Sequence, residues 1–263
     1  MSRDNVTDIL CIGAQRAMTS WLHHVLSAHP GTWAFPNFNP VTSTSKEAHF
    51  WDRNHARGDI WYRVLMRPLN EGLKSLDFTP QYAFLTDAQI AECKALNPGA
   101  RVIYILRDPL ARAVSAIRMH TMWATKIDDP AAHSIAYGRD FLHRCEVARL
   151  VEHGDYAANV ARWRKKYPEM IVLNYEDLAA DPVAAADGLV AACGLDAALL
   201  TGEARAAFEG RARRVNWPAR PYPLEADCLD FLQGLTWPAR EAAQRELGLR
   251  FTEGERLLRG GRA

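Results

Sequence analysis

The chain has 263 residues, 48% of them hydrophobic, and its 32 basic and 31 acidic residues leave a formal net charge of +1. That length suits one sizeable α/β domain, and the balanced charge excludes a molecule-wide field that would gather nucleic acid or a polyanionic glycan, so any anion site must be local. The five cysteines are odd in number and widely spaced and read as reduced thiols of a cytoplasmic protein; the opening residues lack the pattern of a secretory leader, and no run of about 18 apolar residues predicts a membrane span.

Residues 8–13, DILCIG, form a short continuous apolar run, the pattern of a strand covered on both faces of a parallel sheet. The turn GAQRAMTS follows, and Thr19 opens a predicted helix over 19–28. SLDF at 75–78 predicts another strand, and 87–96 a helix. RVIYILRD at 101–108 is the second strong strand, with Pro109 suited to the first turn of a helix over 110–119. Residues 122–137 are polar and lack periodicity, which predicts a loop. A helix over 156–167, a strand at 170–177 (MIVLNYED) and a helix over 182–193 ending at Gly194 complete the alternation. A second polar stretch, 211–223, is read as a substrate-covering loop. The fold class expected is α/β, one P-loop-like domain over 1–263 with a central parallel β-sheet flanked by helices: a core at about 8–195 and a helical or loop extension over 196–263.

In such sheets ligands sit beyond the carboxyl ends of the strands. The first strong strand ends in Gly13, Ala14, Gln15 and Arg16, followed by Ala17, Met18, Thr19, Ser20 and Trp21. This nearly spells the loop G-x-x-x-x-G-K-[ST] that cradles nucleotide phosphates, but Met18 and Thr19 stand where that pattern has Gly and Lys. Backbone N–H groups at the helix start, the Thr19 and Ser20 hydroxyls and the Arg16 charge would still bind an anion. The second strand edge carries Arg107, with Ser115 about two turns along the next helix, a second candidate phosphate clamp. The bland alternatives are an ordinary helix cap at Thr19 and, as the commoner fate of such residues, a surface pair between Arg107 and Asp108. Two anion sites on separate strands point to an enzyme whose ligand carries two separated phosphates.

These segments resemble the PAPS-dependent sulfotransferases, where PAPS is 3′-phosphoadenosine 5′-phosphosulfate. IGAQRAMTSWLHHVLSAHP looks like that family's 5′-phosphosulfate loop, and RVIYILRDPLARAVSAIRMH its 3′-phosphate segment. KEAHFWD (46–52), FTPQYAF (78–84) and VLNYEDLAADPVAAADGLVAACGL resemble its later segments in the family's order. The family's loop usually has Gly before the Thr, so Met18 must adopt a geometry that Gly adopts more easily.

The resemblance implies PAPS as donor, no metal, and an acceptor hydroxyl or amine, with a small molecule favoured by the near-zero charge. Glu47 is the candidate general base, with His49 its rival; Arg16 and Lys46 are further catalytic candidates, Arg16 with Thr19 and the helix start stabilising charge on the leaving oxygen. In an extended segment Glu47 and His49 would point one way and Lys46 the other. Pro80 and Tyr82 are candidate acceptor contacts. Arg211, Arg213 and Arg214 are the candidate closing loop over the 3′-phosphate, and Trp33 or Trp217 the candidate adenine stack. Two other readings remain open: a kinase or nucleotide triphosphatase with a degenerate P-loop, and a non-catalytic nucleotide-binding module.

Overall fold

The computed structural model describes residues 5–36, 46–127, 129–214 and 220–260. Trp217 lies outside the described residues. The strands are β1 (Ile9–Cys11), β2 (Thr32–Ala34), β3 (Lys74–Asp77), β4 (Arg101–Leu106) and β5 (Ile171–Asn174). The helices are α1 (Thr19–Leu26), α2 (Gly58–Leu65), α3 (Asp87–Leu96), α4 (Pro109–Thr125), α5 (Arg139–Val147) and α6 (Leu150–Gly154), then α7 (Tyr156–Arg164), α8 (Tyr175–Ala180), α9 (Pro182–Ala192), α10 (Gly202–Ala212), α11 (Ala226–Leu247) and α12 (Glu253–Gly260). The fold is α/β. Two compact units emerge: Met1–Ala14, Met18–Leu106 and Val160–Asn216 in the first, and Gln15–Ala17, Arg107–Asn159 and Trp217–Ala263 in the second.

The first unit holds the sheet, five parallel strands in the order β2-β3-β1-β4-β5. Ile9 lies opposite Leu76 on one side and Arg101 on the other, and Ile103 opposite Ile171. Strands β1 and β4 are interior, and Ile9–Cys11 and residues 102–106 are buried. That burial explains their unbroken apolar sequence, because no face is left for polar residues. The edge strand β2 was not expected. It is three half-buried residues long, too short for a period to register. Around the sheet, α1, α9 and α10 pack on one another, and Trp163 of α7 donates its indole N–H to the Tyr82 carbonyl at 3.0 Å.

The second unit is built on α4, whose Leu110, Val114 and Ile117 pack with Phe141, Tyr222 and Leu232. Asp108 caps the helix by accepting from the Leu110 N–H at 3.0 Å. The helix runs on to Thr125, which corrects the expected loop over 122–137: Met122 packs against this same core, so burial extends the helix where the polar sequence suggested a break. After it come a short 3-10 turn at Pro130–Ala132 and a bridge from Ile135 to Leu224. None of the described helices is long and apolar enough to cross a membrane.

Candidate active site

In the first unit the segment 46–54 is held on the end of β3 by one buried carboxylate. Asp77 Oδ1 accepts from the Ala48 N–H at 3.2 Å and the Thr79 hydroxyl at 2.7 Å, and its Oδ2 accepts from the hydroxyls of Tyr62 and Tyr82 at 3.0 and 3.1 Å. The Thr79 oxygen accepts from the His49 N–H at 3.2 Å, and the Tyr82 oxygen from the Phe50 N–H at 2.7 Å. Burial lifts the Asp77 carboxyl, and these hydrogen bonds offset only part of that rise, leaving it at about 6.

Pinned this way, the segment does not run extended. His49 takes a left-handed backbone, φ 50, and Phe50–Asn54 winds into a π-helical turn. The expected alternation is corrected at Lys46 alone: Glu47 and His49 lie together as expected, and Lys46 meets Glu47 rather than pointing away. Lys46 Nζ lies 2.5 Å from Glu47 Oε1, and Glu47 Oε2 lies 3.1 Å from His49 Nε2. On the other ring nitrogen, His49 Nδ1 lies 2.9 Å from Asp52 Oδ2. The sequence signal for Asp52 is its spacing of three from His49 within KEAHFWD, which suits one turn of helix.

Burial disfavours a charged His49, but Asp52 and Glu47 together outweigh it and raise the imidazole to about 9. Burial likewise pushes Glu47 up, but Lys46 and then His49 outweigh it and hold the carboxyl at about 2. His49 is therefore an imidazolium at neutral pH, with no lone pair to take a proton, whereas Glu47 is ionised. Because the folded His49 value lies above its ordinary 6.5, its stabilising contribution is complete below that pH and is lost as pH rises through about 9. Denaturant midpoints measured from pH 6 to pH 9.5 should fall for the native chain and stay flat for His49→Asn, which suits the left-handed backbone. Equal slopes for the two proteins would show that no imidazolium is held there.

Next to this cluster, Lys46 Nζ reaches Thr19 Oγ1 at 3.4 Å. Thr19 begins α1, whose N-terminus has no side-chain cap, whereas Thr86, Asp108, Asn174 and Asp181 cap α3, α4, α8 and α9. The first-turn N–H groups of α1 are thus donors that no side chain caps. Met18 precedes them with φ 66, the left-handed conformation that Gly usually supplies. Gly13 and Ala14 continue the sheet pairing with Ile105, by Ile105 N–H to Gly13 O and Ala14 N–H to Ile105 O, each at 2.8 Å. Gly13 has φ 139, and a Cβ there would come within 3.0 Å of the Pro80 carbonyl, so no other residue fits easily. Ser20 follows on α1, partly exposed.

In the second unit the turn Gln15–Ala17 brings Arg16, φ 69, onto α4. Arg16 Nε donates to Ser115 Oγ at 2.9 Å, and its Nη1 lies 3.7 Å from Met119 Sδ. Arg107 Nη1 donates to the Arg16 carbonyl at 2.9 Å. Arg16, Arg107 and Ser115, expected to serve two phosphates, are therefore joined in one chain of contacts. Arg107 does not pair with Asp108. It meets Glu253 of α12 with two nitrogens, while buried Asp108 accepts from Arg240 Nε at 3.2 Å and the Gly254 N–H at 3.0 Å. No signal in the sequence near Arg107 could have found partners more than a hundred residues away.

Several expectations fall differently. Tyr82 is fully buried, with its hydroxyl committed to Asp77 and Phe50, so it supports the segment 46–50 rather than meeting an acceptor; Pro80 is buried as well. The Trp21 side chain is buried too and donates to the Ala212 carbonyl at 2.8 Å, which leaves only its backbone for a ligand. Arg211 belongs to α10 and is not a loop residue; Arg213 pairs with Glu209 at 3.0 Å, and both arginines, like Arg214, are exposed. Trp33 is half-buried on β2.

In the first unit the N–H groups at the start of α1, with Lys46 and Thr19, suit an anion; in the second unit Arg16, Arg107 and Ser115 form a separate set of donors that suits another. Among the described residues no group of three or more His, Cys, Asp or Glu could hold a metal ion.

A profile described as Sulfotransferase domain matches residues 6–206. Among curated proteins, heparan sulfate glucosamine 3-O-sulfotransferase 3A1 of Mus musculus is 28% identical over 177 residues, covering 66% of this chain and 42% of that protein. Bifunctional heparan sulfate N-deacetylase/N-sulfotransferase 2 of Bos taurus is 26% identical over 202 residues, 69% of this chain and 21% of that protein. The chain thus spans less than half the length of these relatives. Among solved structures, a sulfotransferase from Alicyclobacillus acidocaldarius superposes with TM-score 0.67 at 19% identity, over 97% of this chain and 100% of that one. A mouse sulfotransferase complexed with PAP gives 0.53 at 14% identity, over 98% and 89%. With its five-stranded parallel sheet, its phosphate-type turn before α1 and a profile match over most of its length, the chain belongs to the sulfotransferase domain family.

Proposed function

We propose that the chain transfers a sulfuryl group from PAPS to a hydroxyl or amine of an acceptor, with Glu47 as general base. The observation that carries this reading is the shared ammonium of Lys46, 2.5 Å from the Glu47 carboxylate and 3.4 Å from the Thr19 hydroxyl at the start of α1. One cation thereby links the group that would take a proton to the helix end that would take an anion. The donor supplies a sulfuryl group on a phosphate leaving group. Glu47 removes the acceptor's proton as the new bond to sulfur forms, while the bond from sulfur to the donor's phosphate oxygen breaks and its electron pair stays on that oxygen. Lys46, Thr19 and the α1 N–H groups stabilise the charge that grows there. A carboxylate held at about 2 is a weak base. Movement of Lys46 toward the departing oxygen relieves that depression at the moment the proton leaves.

Arg107, Ser115 and Arg16 are assigned to the 3′-phosphate. For the acceptor, balanced charge favours a small molecule, whereas the likeness to heparan sulfate sulfotransferases favours a glycan. Two measurements test the proposal. Calorimetry should show adenosine 3′,5′-bisphosphate binding better than ATP with magnesium, and Ser115→Ala should weaken the former by roughly 1.5–3 kcal/mol. Tighter binding of magnesium ATP would overturn the donor assignment in favour of a triphosphatase. Labelled sulfuryl transfer to a panel of phenols, amines, alcohols and heparan oligosaccharides then identifies the acceptor.

A further inference from the structure

Glu253 stands at the first turn of α12, and its carboxylate lies in the fork of Arg107: Oε2 accepts from Nε at 2.7 Å and Oε1 from Nη2. Two parallel contacts from one planar guanidinium to two oxygens are the geometry by which arginine also takes a phosphate. The pair is not sealed. The Arg107 and Glu253 side chains keep 14% and 21% of their surface exposed, so an anion from solution can reach them.

The residues on either side of Glu253 are anchored without it. The Gly254 N–H donates to Asp108, and a Cβ at Gly254 would fall 2.5 Å from Asp108 Oδ1, so the backbone here is pressed against that carboxylate. Arg240 Nη2 donates to the Phe251 carbonyl at 2.6 Å and to Glu255 at 2.9 Å. The start of α12 is thus clamped by the Asp108 and Arg240 pair. The side chain of Glu253 is positioned separately, on Arg107.

We propose that Glu253 is an internal competitor for the anion that Arg107 takes. This rests on the assignment of Arg107 to the 3′-phosphate. A phosphate monoester carries more charge and more acceptor oxygens than a carboxylate, so it displaces Glu253, whose side chain swings away while α12 stays anchored. When the bisphosphate product leaves, Glu253 returns to Arg107. The carboxylate therefore weakens the hold on the 3′-phosphate in donor and product alike and favours product release, a step that often limits turnover.

The test is a calorimetric titration of the full chain with adenosine 3′,5′-bisphosphate, and with adenosine 5′-monophosphate as a probe that lacks the 3′-phosphate. Glu253→Gln should bind the bisphosphate about tenfold more tightly, or about 1.4 kcal/mol, and the monophosphate unchanged. Glu253→Asp keeps a charge at the helix start but is one methylene shorter, so its affinity should fall between; thermal unfolding checks both variants, and the Asp variant decides if the Gln variant does not fold. Unchanged or weaker bisphosphate binding in the variants, with the native chain still preferring bisphosphate to monophosphate, would overturn the competitor and leave the donor assignment standing. No preference for the bisphosphate in any of the three proteins would overturn both.

Discussion

Glu47→Gln is expected to lower the rate of sulfuryl transfer by about 100-fold or more while leaving adenosine 3′,5′-bisphosphate affinity nearly unchanged. The substitution keeps the size of the side chain and an oxygen able to accept from Lys46 or His49, so the segment held by Asp77 and Thr79 should remain in place. What it removes is the only member of the cluster of Lys46, Glu47 and His49 that is both ionised and able to take a proton. His49 is already protonated, because its own partners hold it at about 9. A pre-steady-state and steady-state comparison distinguishes the effect from loss of binding: kcat should fall and the bisphosphate Kd should not. Native turnover in Glu47→Gln would remove Glu47 from the chemistry.

The second large effect is on stability. Asp108→Ala should destabilise the fold by about 3–4 kcal/mol, with a Tm lower by roughly 10 °C. Three losses coincide at this fully buried carboxylate. The cap on α4 disappears, worth about 1 kcal/mol; the Gly254 N–H loses its acceptor; and Arg240, itself almost fully buried, loses one of its two carboxylate partners. Asp108→Asn retains an oxygen for the cap but no charge for Arg240, and about half of that loss is expected. Chemical denaturation reads both variants, and a loss below about 1 kcal/mol for the alanine variant would mean that Glu255 alone satisfies Arg240.

Much of this was legible along the chain because it depends on neighbours in sequence. The strands β1 and β4 are written in short apolar runs, since an interior parallel strand has no polar face; β5, a half-buried edge strand, carries a similar run. The helix starts at Thr19, Asp87 and Pro182 follow from local turn and capping chemistry, and Lys46, Glu47 and His49 stand together within KEAHFWD. The edge strand β2 gave no period because it spans three residues, and α4 runs past its expected end to Thr125, with partly buried Met122 packed against the second unit's core.

The sequence by itself determined the α/β alternation, the two arginine-bearing strand ends and the absence of a P-loop lysine. It also placed Met18 in a position made for glycine, which the left-handed φ of 66 explains. Only the tertiary structure decided how charges are shared. The bend at His49 brought Lys46, expected to point away, into a chain through Glu47 and His49 to Asp52, because Asp77, 25 or more residues away, fixes the backbone from Ala48 to Phe50 through its hydroxyl partners. Arg107 gained Glu253 instead of Asp108 for the same reason. Hydrogen bonds and ion pairs act over a few ångströms in space, and nothing in a linear pattern records which distant carboxylate the fold will carry to that distance.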